Sequence, residues 1–316
     1  MKQQTCFWRL AAVMLLVCTL FSVSAALAAD TDDYITIKHR LGETRVKKNP
    51  EKVVIFDIGS LETYHELGIP VAGVTSSVPA YLAEYKSDKY AKLGGIKSPD
   101  IQAISALAPD LIIISGRQSA AYDSLTAIAP TVFLGVDTKD YWNSFETNVR
   151  HIAALHGKES MAEQKLAALR EKRDLVIEET KNDSHTGFTI LHVRGGHTSY
   201  GSGSRFGFVH DVLGIKQAIT DLDDATHTGH RFKPGDGLVQ RANPDYLFLI
   251  DRDSAVGGEE KSVDELLSDE LKDTPAYKNG KVVTLPGNIW YVSGGGLISV
   301  DKKVTDVGEQ LYDLHF

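Results

Sequence analysis

The stretch "DATHTGHRFKPGDG", Asp224 to Gly237, sets His227 and His230 three residues apart in a segment too rich in Gly, Asp and Thr for a regular helix. Two imidazoles that close are candidate metal ligands. Three arginines widen the set: Arg117 after "PDLIIISG", Arg205 in "GSGSRFG" and Arg252 after "PDYLFLID". A guanidinium fork donates to several oxygens of a polyanion at once, and its face can lie on an aromatic ring. Trp290, beside Tyr291, adds aromatic surface. The question is whether a metal here would catalyse or be cargo.

As an enzyme, the histidine pair with an Asp would be a metallohydrolase site in which zinc activates water. The helical H-E-x-x-H arrangement is missing from the sequence, and no compact Asp/His cluster is legible in it. "GSGS", Gly201 to Ser204, is not a G-x-S-x-G elbow and reads as a flexible loop whose glycines let backbone approach a ligand. His156, His185, His192 and His197 lack a comparable context and read as structural.

The elements that must position these residues repeat. "KVVIFDIG", "SLETYHELGI" and "VAGVT" alternate strand and helix, and "DIQAISALAPDLIIISGRQ" adds a helix stopped by Pro109, a strand and Arg117. The second half runs through "GFTILHVRGG", the helix-like "FGFVHDVLGI" and "LVQRANPDYLFLIDRD". Pro109 to Arg117 and Pro244 to Arg252 have the same spacing, so each half places an arginine past the carboxyl end of an equivalent strand. Ligands of open α/β sheets bind at that end. Between the halves, Lys158 to Lys181 has no Gly or Pro and carries Met161, Leu166, Leu169 and Val176, the pattern of one long helix. Such a helix spans roughly 36 Å at its standard rise. The expected fold is two α/β lobes, 33–157 and 186–316, joined by a single long helix over 158–181. A rigid connector of that kind implies small closing motions.

The chain opens with Lys2 and Arg9 around an apolar run that closes on Ala26-Leu27-Ala28, the pattern of a secretory signal peptide over 1–28 with cleavage near Ala28. Cys6 and Cys18, both within that segment, are the whole cysteine complement, which leaves the remainder without disulfides, zinc thiolates or a Cys nucleophile. The whole chain carries a formal charge of −8, and losing Lys2 and Arg9 makes it more acidic. Nucleic acid and anionic lipid are poor partners for such a surface.

Together, "ALAPDLIIISGRQ", "SRFGFVHDVLGI", "NPDYLFLIDRD" and "WYVSGGG" resemble the periplasmic binding proteins of iron-siderophore ABC importers, especially those for catecholate siderophores. The resemblance implies a class III binding-protein fold, a monomer working in the periplasm, an inner-membrane ABC permease as partner and no permanently bound cofactor. Its ligand would be an Fe(III)-catecholate siderophore, held by Arg117, Arg205, Arg252 and Trp290. Fe(III) normally takes six ligands, so a tetradentate chelator leaves two places, which a His and a Tyr fill in catecholate binders of this family. Family spacing back from Asn243 favours His230, with His227 as the alternative, and Tyr291 holds the tyrosine position. Cobalamin and haem binders share the fold and are the competing cargo classes. For docking, the resemblance points to Gln102, where the family usually has Glu, and to Asp211, with Asp100 or Glu62 as substitutes for the first.

Overall fold

In the computed structural model of the protein the described residues are 33–220 and 229–316. The leader expected at 1–28 and His227 lie outside them. Two α/β lobes are joined by one long helix, as the sequence reading expected.

The first lobe opens with an antiparallel ribbon, β1 (Tyr34–His39) and β2 (Gly42–Lys47). It continues through β3 (Val53–Ile55), α1 (Ile58–Glu66), β4 (Gly73–Val74), β5 (Ala91–Lys92) and a small ribbon of β6 (Gly94–Gly95) and β7 (Ser98–Pro99). Then come α2 (Ile101–Leu107), β8 (Leu111–Ile114), α3 (Tyr122–Thr126), β9 (Thr131–Phe133) and α4 (Tyr141–His156). Strands β5-β4-β3-β8-β9 form a parallel sheet in that order. Local chemistry sets the helix boundaries. Asp57 and Asp100 cap α1 and α2 by accepting from the backbone N–H of Ser60 and Ala103, satisfying donors the first turn leaves open. Ala108 turns left-handed at φ 50° to end α2 before Pro109.

The second lobe runs β10 (Thr186–Val193), β11 (Gly196–Tyr200), α6 (Phe208–Asp211), β12 (Lys216–Gln217), β13 (His230–Phe232), α7 (Leu238–Ala242), β14 (Tyr246–Asp251) and α8 (Arg252–Ala255). Three short helices, α9 (Val263–Leu266), α10 (Asp269–Lys272) and α11 (Pro275–Lys278), precede β15 (Val282–Leu285) and α12 (Leu297–Tyr312). The sheet order is β13-β11-β10-β14-β15, with β12 pairing the start of β10. Two local expectations change. "FGFVHDVLGI" holds only the four-residue α6, bracketed by Gly207 and a left-handed Gly214 at φ 78°. The segment from His230 is not loop but an edge strand, because Arg231 and Phe232 pair with Thr198 and His197 of β11.

Burial alternates along the sheets with the period of two that a pleated strand imposes. Val53 and Ile55 of β3, and Leu111 and Ile113 of β8, face a core that runs unbroken into the second lobe, where Phe248 and Ile250 of β14 join it. Val54, Ile112 and Ile114 face an outer core of the first lobe, and Phe188, Ile190, Leu247 and Leu249 face one of the second.

The connector is α5 (Glu159–Asn182), which buries Ala162, Leu166, Leu169, Val176 and Thr180 on one face. Met161, expected in that stripe, is exposed, and Ala162 takes the core position. Glu146 of α4 ties the helix to the first lobe, bonded by Arg170 at 2.7 Å and by Arg150 at 2.9 Å. In its last turn Thr180 donates to the Leu213 carbonyl at 2.8 Å, and near its middle Lys172 pairs with Asp301 of α12 at 2.7 Å. Helix α12 packs on α1, α5 and β15, so it belongs to the base between the lobes. There the Gly296 backbone lies against that of Gly59. A Cβ on Gly296 would sit 2.0 Å from the Gly59 carbonyl oxygen, so only glycine permits this approach.

Candidate functional site

A cavity of about 440 Å³ opens between the lobes at the carboxyl ends of the parallel strands. Arg117 and Ser115, just past β8, line it from the first lobe, and Arg205, Trp290 and Tyr291 from the second. The turn Asn288–Val292 that carries Trp290 and Tyr291 is a single wide π-helical turn. Such turns re-aim side chains and recur at functional positions.

The arginines converge on Tyr291. Arg117 donates through Nη2 to its carbonyl oxygen at 2.8 Å, and Arg205 donates to the same oxygen. The Arg205 guanidinium lies 4.5 Å from the centre of the Tyr291 ring, and that of Arg252 lies 5.9 Å from it. Burial opposes ionisation of the phenol, yet the Arg252 hydrogen bond and the charges of Arg205 and Arg252 outweigh it and hold its pKa below the ordinary tyrosine value. Burial pulls the pKa of Arg117 down, Arg205 adds to that pull, and Asp57 and Tyr291 oppose it.

Arg252 opens α8 and is aimed by its neighbours. Asp253 accepts from its Nη1 at 3.0 Å, and Asp251 caps α8 by accepting from the backbone of Asp253 and Ser254. His192, buried on β10, stands opposite Asp251 in the parallel register, with its Nδ1 3.2 Å from that carboxylate. His192, Asp251 and Asp253 thus form a compact cluster that the sequence reading did not find. Strand register brought it together, and register is not written in local spacing. Each of its four carboxylate oxygens already accepts a protein hydrogen bond, since the Arg194 backbone takes the remaining one at 2.6 Å. The cluster's visible role is to fix Arg252.

Other expected residues fall differently. His230 is exposed on the edge strand β13 and is not among the residues lining the interlobe cavity. Trp290 does line it but is only 2 % exposed, and its ring meets Phe208 edge-on while its Nε1 donates to Asp306 at 3.3 Å. Gln102, Asp100 and Asp211 are exposed, the last with its carboxylate held by Ser202 and the Gly203 backbone. Glu62 cannot serve as a surface docking acid. It is fully buried, accepting from the Tyr81 hydroxyl at 2.6 Å and the Ser299 backbone at 2.8 Å, and burial raises its pKa against those hydrogen bonds.

Sequence reasoning missed Arg40, Lys97 and Lys303, all of which line the cavity. Lys303 had a signal: it sits on the same face as Val300, Val304 and Val307, a lysine inside the apolar stripe of a helix.

A second depression of about 490 Å³, within the second lobe alone, is lined by His192, His197, Arg231 and Glu265. It carries Arg231 and Lys233 beside Glu265 and does not lie between the lobes, whereas the interlobe cavity gathers Arg40, Lys97, Arg117 and Arg205 against Asp57, with Lys303 at its floor. That excess marks the interlobe cavity as the site for an anion.

Residues 53–289 match the periplasmic binding protein family. The chain belongs to that family. It is similar to the petrobactin-binding protein YclQ of Bacillus subtilis, 37% identical over 308 residues that cover 95% of each chain. The crystal structure of YclQ matches with a TM-score of 0.83 at 39% identity, covering 88% of this chain and 99% of that one. The periplasmic catecholate-siderophore binding protein VctP of Vibrio cholerae matches with a TM-score of 0.81 at 30% identity, covering 86% of this chain and 98% of that one. Periplasmic binding proteins are extracytoplasmic carriers rather than enzymes, which removes the metallohydrolase reading.

Proposed function

We propose that this protein captures a ferric catecholate siderophore in the interlobe cavity and delivers it to an ABC permease of the inner membrane. The observation that carries the reading is the convergence of Arg117, Arg205 and Arg252 on Tyr291. A catecholate–iron complex is anionic, flat-edged and aromatic, and guanidinium groups match it in charge, hydrogen-bond geometry and stacking. The relatives named for petrobactin and for catecholate siderophores support the same class. Iron is cargo in this reading. With a hexadentate chelator the protein supplies no ligand to it. With a tetradentate one, the Tyr291 phenolate fills one open position, and His230, which stands on the edge strand outside the cavity lining, or His227 fills the other only after the segment that carries them moves onto the chelate. A cavity without cationic walls would suit haem or cobalamin as well; this one, lined by Arg40, Lys97, Arg117 and Arg205, with Arg252 outside the lining but 5.9 Å from the Tyr291 ring, favours the charged chelate.

Absorbance separates the classes. Purified protein mixed with a preformed ferric tris-catecholate and passed through a desalting column is expected to carry a broad visible charge-transfer band with it. Protein that retains haem with a Soret band and passes the ferric catecholate unbound would overturn the assignment.

A further inference from the structure

Lys303 stands where a cation has no business being unless something arrives to meet it. It is 4 % exposed, on α12, and lines the interlobe cavity. Its Nζ donates to the Tyr141 hydroxyl at 3.0 Å and to the Gly294 carbonyl at 3.4 Å, and the Tyr141 hydroxyl itself donates to Gly294 at 2.7 Å. Two neutral acceptors satisfy the two N–H groups of an uncharged amine, and among the described residues no carboxylate lies within ion-pair distance of Nζ. The rings of Tyr141, Trp290 and Phe208 stand 5.2, 5.4 and 5.6 Å from it, a box that tolerates an ammonium without neutralising it.

We propose that Lys303 is a further ligand-binding residue, a floor cation that becomes charged when an anionic chelate enters the cleft and so couples capture to uptake of a proton. This rests on the functional reading above. A buried, unpaired ammonium is costly, and an anion supplies the missing counter-charge. Burial pushes the pKa of Lys303 down to about 7, against the field of Glu62 and helped by Arg205. The groups around it are Glu62 and Asp57 at α1, Tyr141 on α4, Arg117 and Arg205 at the cavity wall, Tyr291 beside Trp290, and Asp306 behind Trp290. Burial raises Asp57, Glu62 and Asp306 against their hydrogen bonds, which leaves the amine with weak local support for its charge.

The sign follows. An anion raises the pKa of Lys303, so its contribution to affinity is complete below pH about 7 and is lost as pH rises through that value toward the bound-state pKa. Affinity falls by up to about tenfold per pH unit in that window. The probe is a preformed ferric tris-catecholate of one hexadentate ligand, titrated by fluorescence from pH 6 to 9. Calorimetry in buffers of different ionisation enthalpy reads proton uptake. Wild type is expected to take up about one proton per chelate at pH 8. Lys303→Met is expected to remove the uptake and flatten the pH profile, and Lys303→Arg, charged throughout, is expected to bind at pH 9 as it does at pH 6. A melting curve confirms that each variant is folded, and Lys303→Arg carries the test alone should Lys303→Met not be. Wild type that fails to bind the probe even at pH 6 overturns the functional reading and this inference with it. Wild type that binds, with a pH profile and proton uptake unchanged by either variant, overturns the role of Lys303 only.

Discussion

The stretch from Pro109 to Arg117 in the first lobe and that from Pro244 to Arg252 in the second have equal length and equal pattern, yet they deliver different arginines. β8 stops at Ile114, and its arginine lies within a 3₁₀ turn, Gly116–Ala121, buried enough that desolvation dominates it. β14 runs on to Asp251, so Arg252 starts a helix directly and arrives already paired with Asp253. One lobe supplies a cation that depends on the other lobe for its hydrogen bond; the second supplies one that its own neighbours hold. A sequence repeat conserves the position of a charge while the local strand ending sets how free that charge is to meet a ligand.

The largest effect is expected where the two halves share a base. Gly296→Ala would drive a methyl group into the Gly59 backbone, an overpacking that costs about 3 kcal/mol. A melting temperature equal to wild type would mean the lobes are not held in register there. Next comes the contrast between the arginines. Arg117→Ala is expected to weaken binding of a ferric tris-catecholate by about 2 to 3 kcal/mol and Arg252→Ala by about 1.5 kcal/mol, the upper part and the lower end of the range for charged hydrogen bonds. Equal losses in a fluorescence titration would erase the distinction between the buried and the paired cation.

The next effect concerns the tie between α5 and the first lobe. Partial burial opposes ionisation of Glu146, but hydrogen bonds from Arg170, Trp142 and Arg150 prevail and hold its pKa at about 2. A depressed carboxylate contributes stability that is present above its unfolded pKa and lost as pH falls through its folded one. Glu146→Gln should therefore lower stability by about 1 to 2 kcal/mol at neutral pH, with the gap to wild type closing toward pH 2 in denaturant titrations. A gap that persists unchanged at pH 2 would assign the loss to packing. The smallest effect is at the surface. On the proposal that Asp211 meets the permease, Asp211→Lys is expected to slow uptake in cells only modestly, since exposed ion pairs contribute about 0 to 1 kcal/mol. A parallel fluorescence titration separates that loss from any caused by freeing the Ser202–Gly203 turn that Asp211 holds.

The lobes, the connector and the strand-end positions of Arg117 and Arg252 were legible because they are written in local patterns: Pro-Asp before a strand, a Gly-free helical run, an arginine at a fixed offset. The rest depended on what packs against what. Strand register joined His192 to Asp251, a side-chain network buried Glu62, and an apolar helix face drew Lys303 under the cleft. His230 shows the limit of spacing in another way, since an edge strand replaces the loop expected around it.

The most direct test of the central claim is where the iron sits. Crystals grown with a ferric tris-catecholate and measured at the iron absorption edge are expected to show one anomalous peak in the interlobe cavity, with Arg117 and Arg205 against the catecholate oxygens. A peak in the second-lobe depression beside His192 and Arg231, with the interlobe cavity free of chelate, would contradict it.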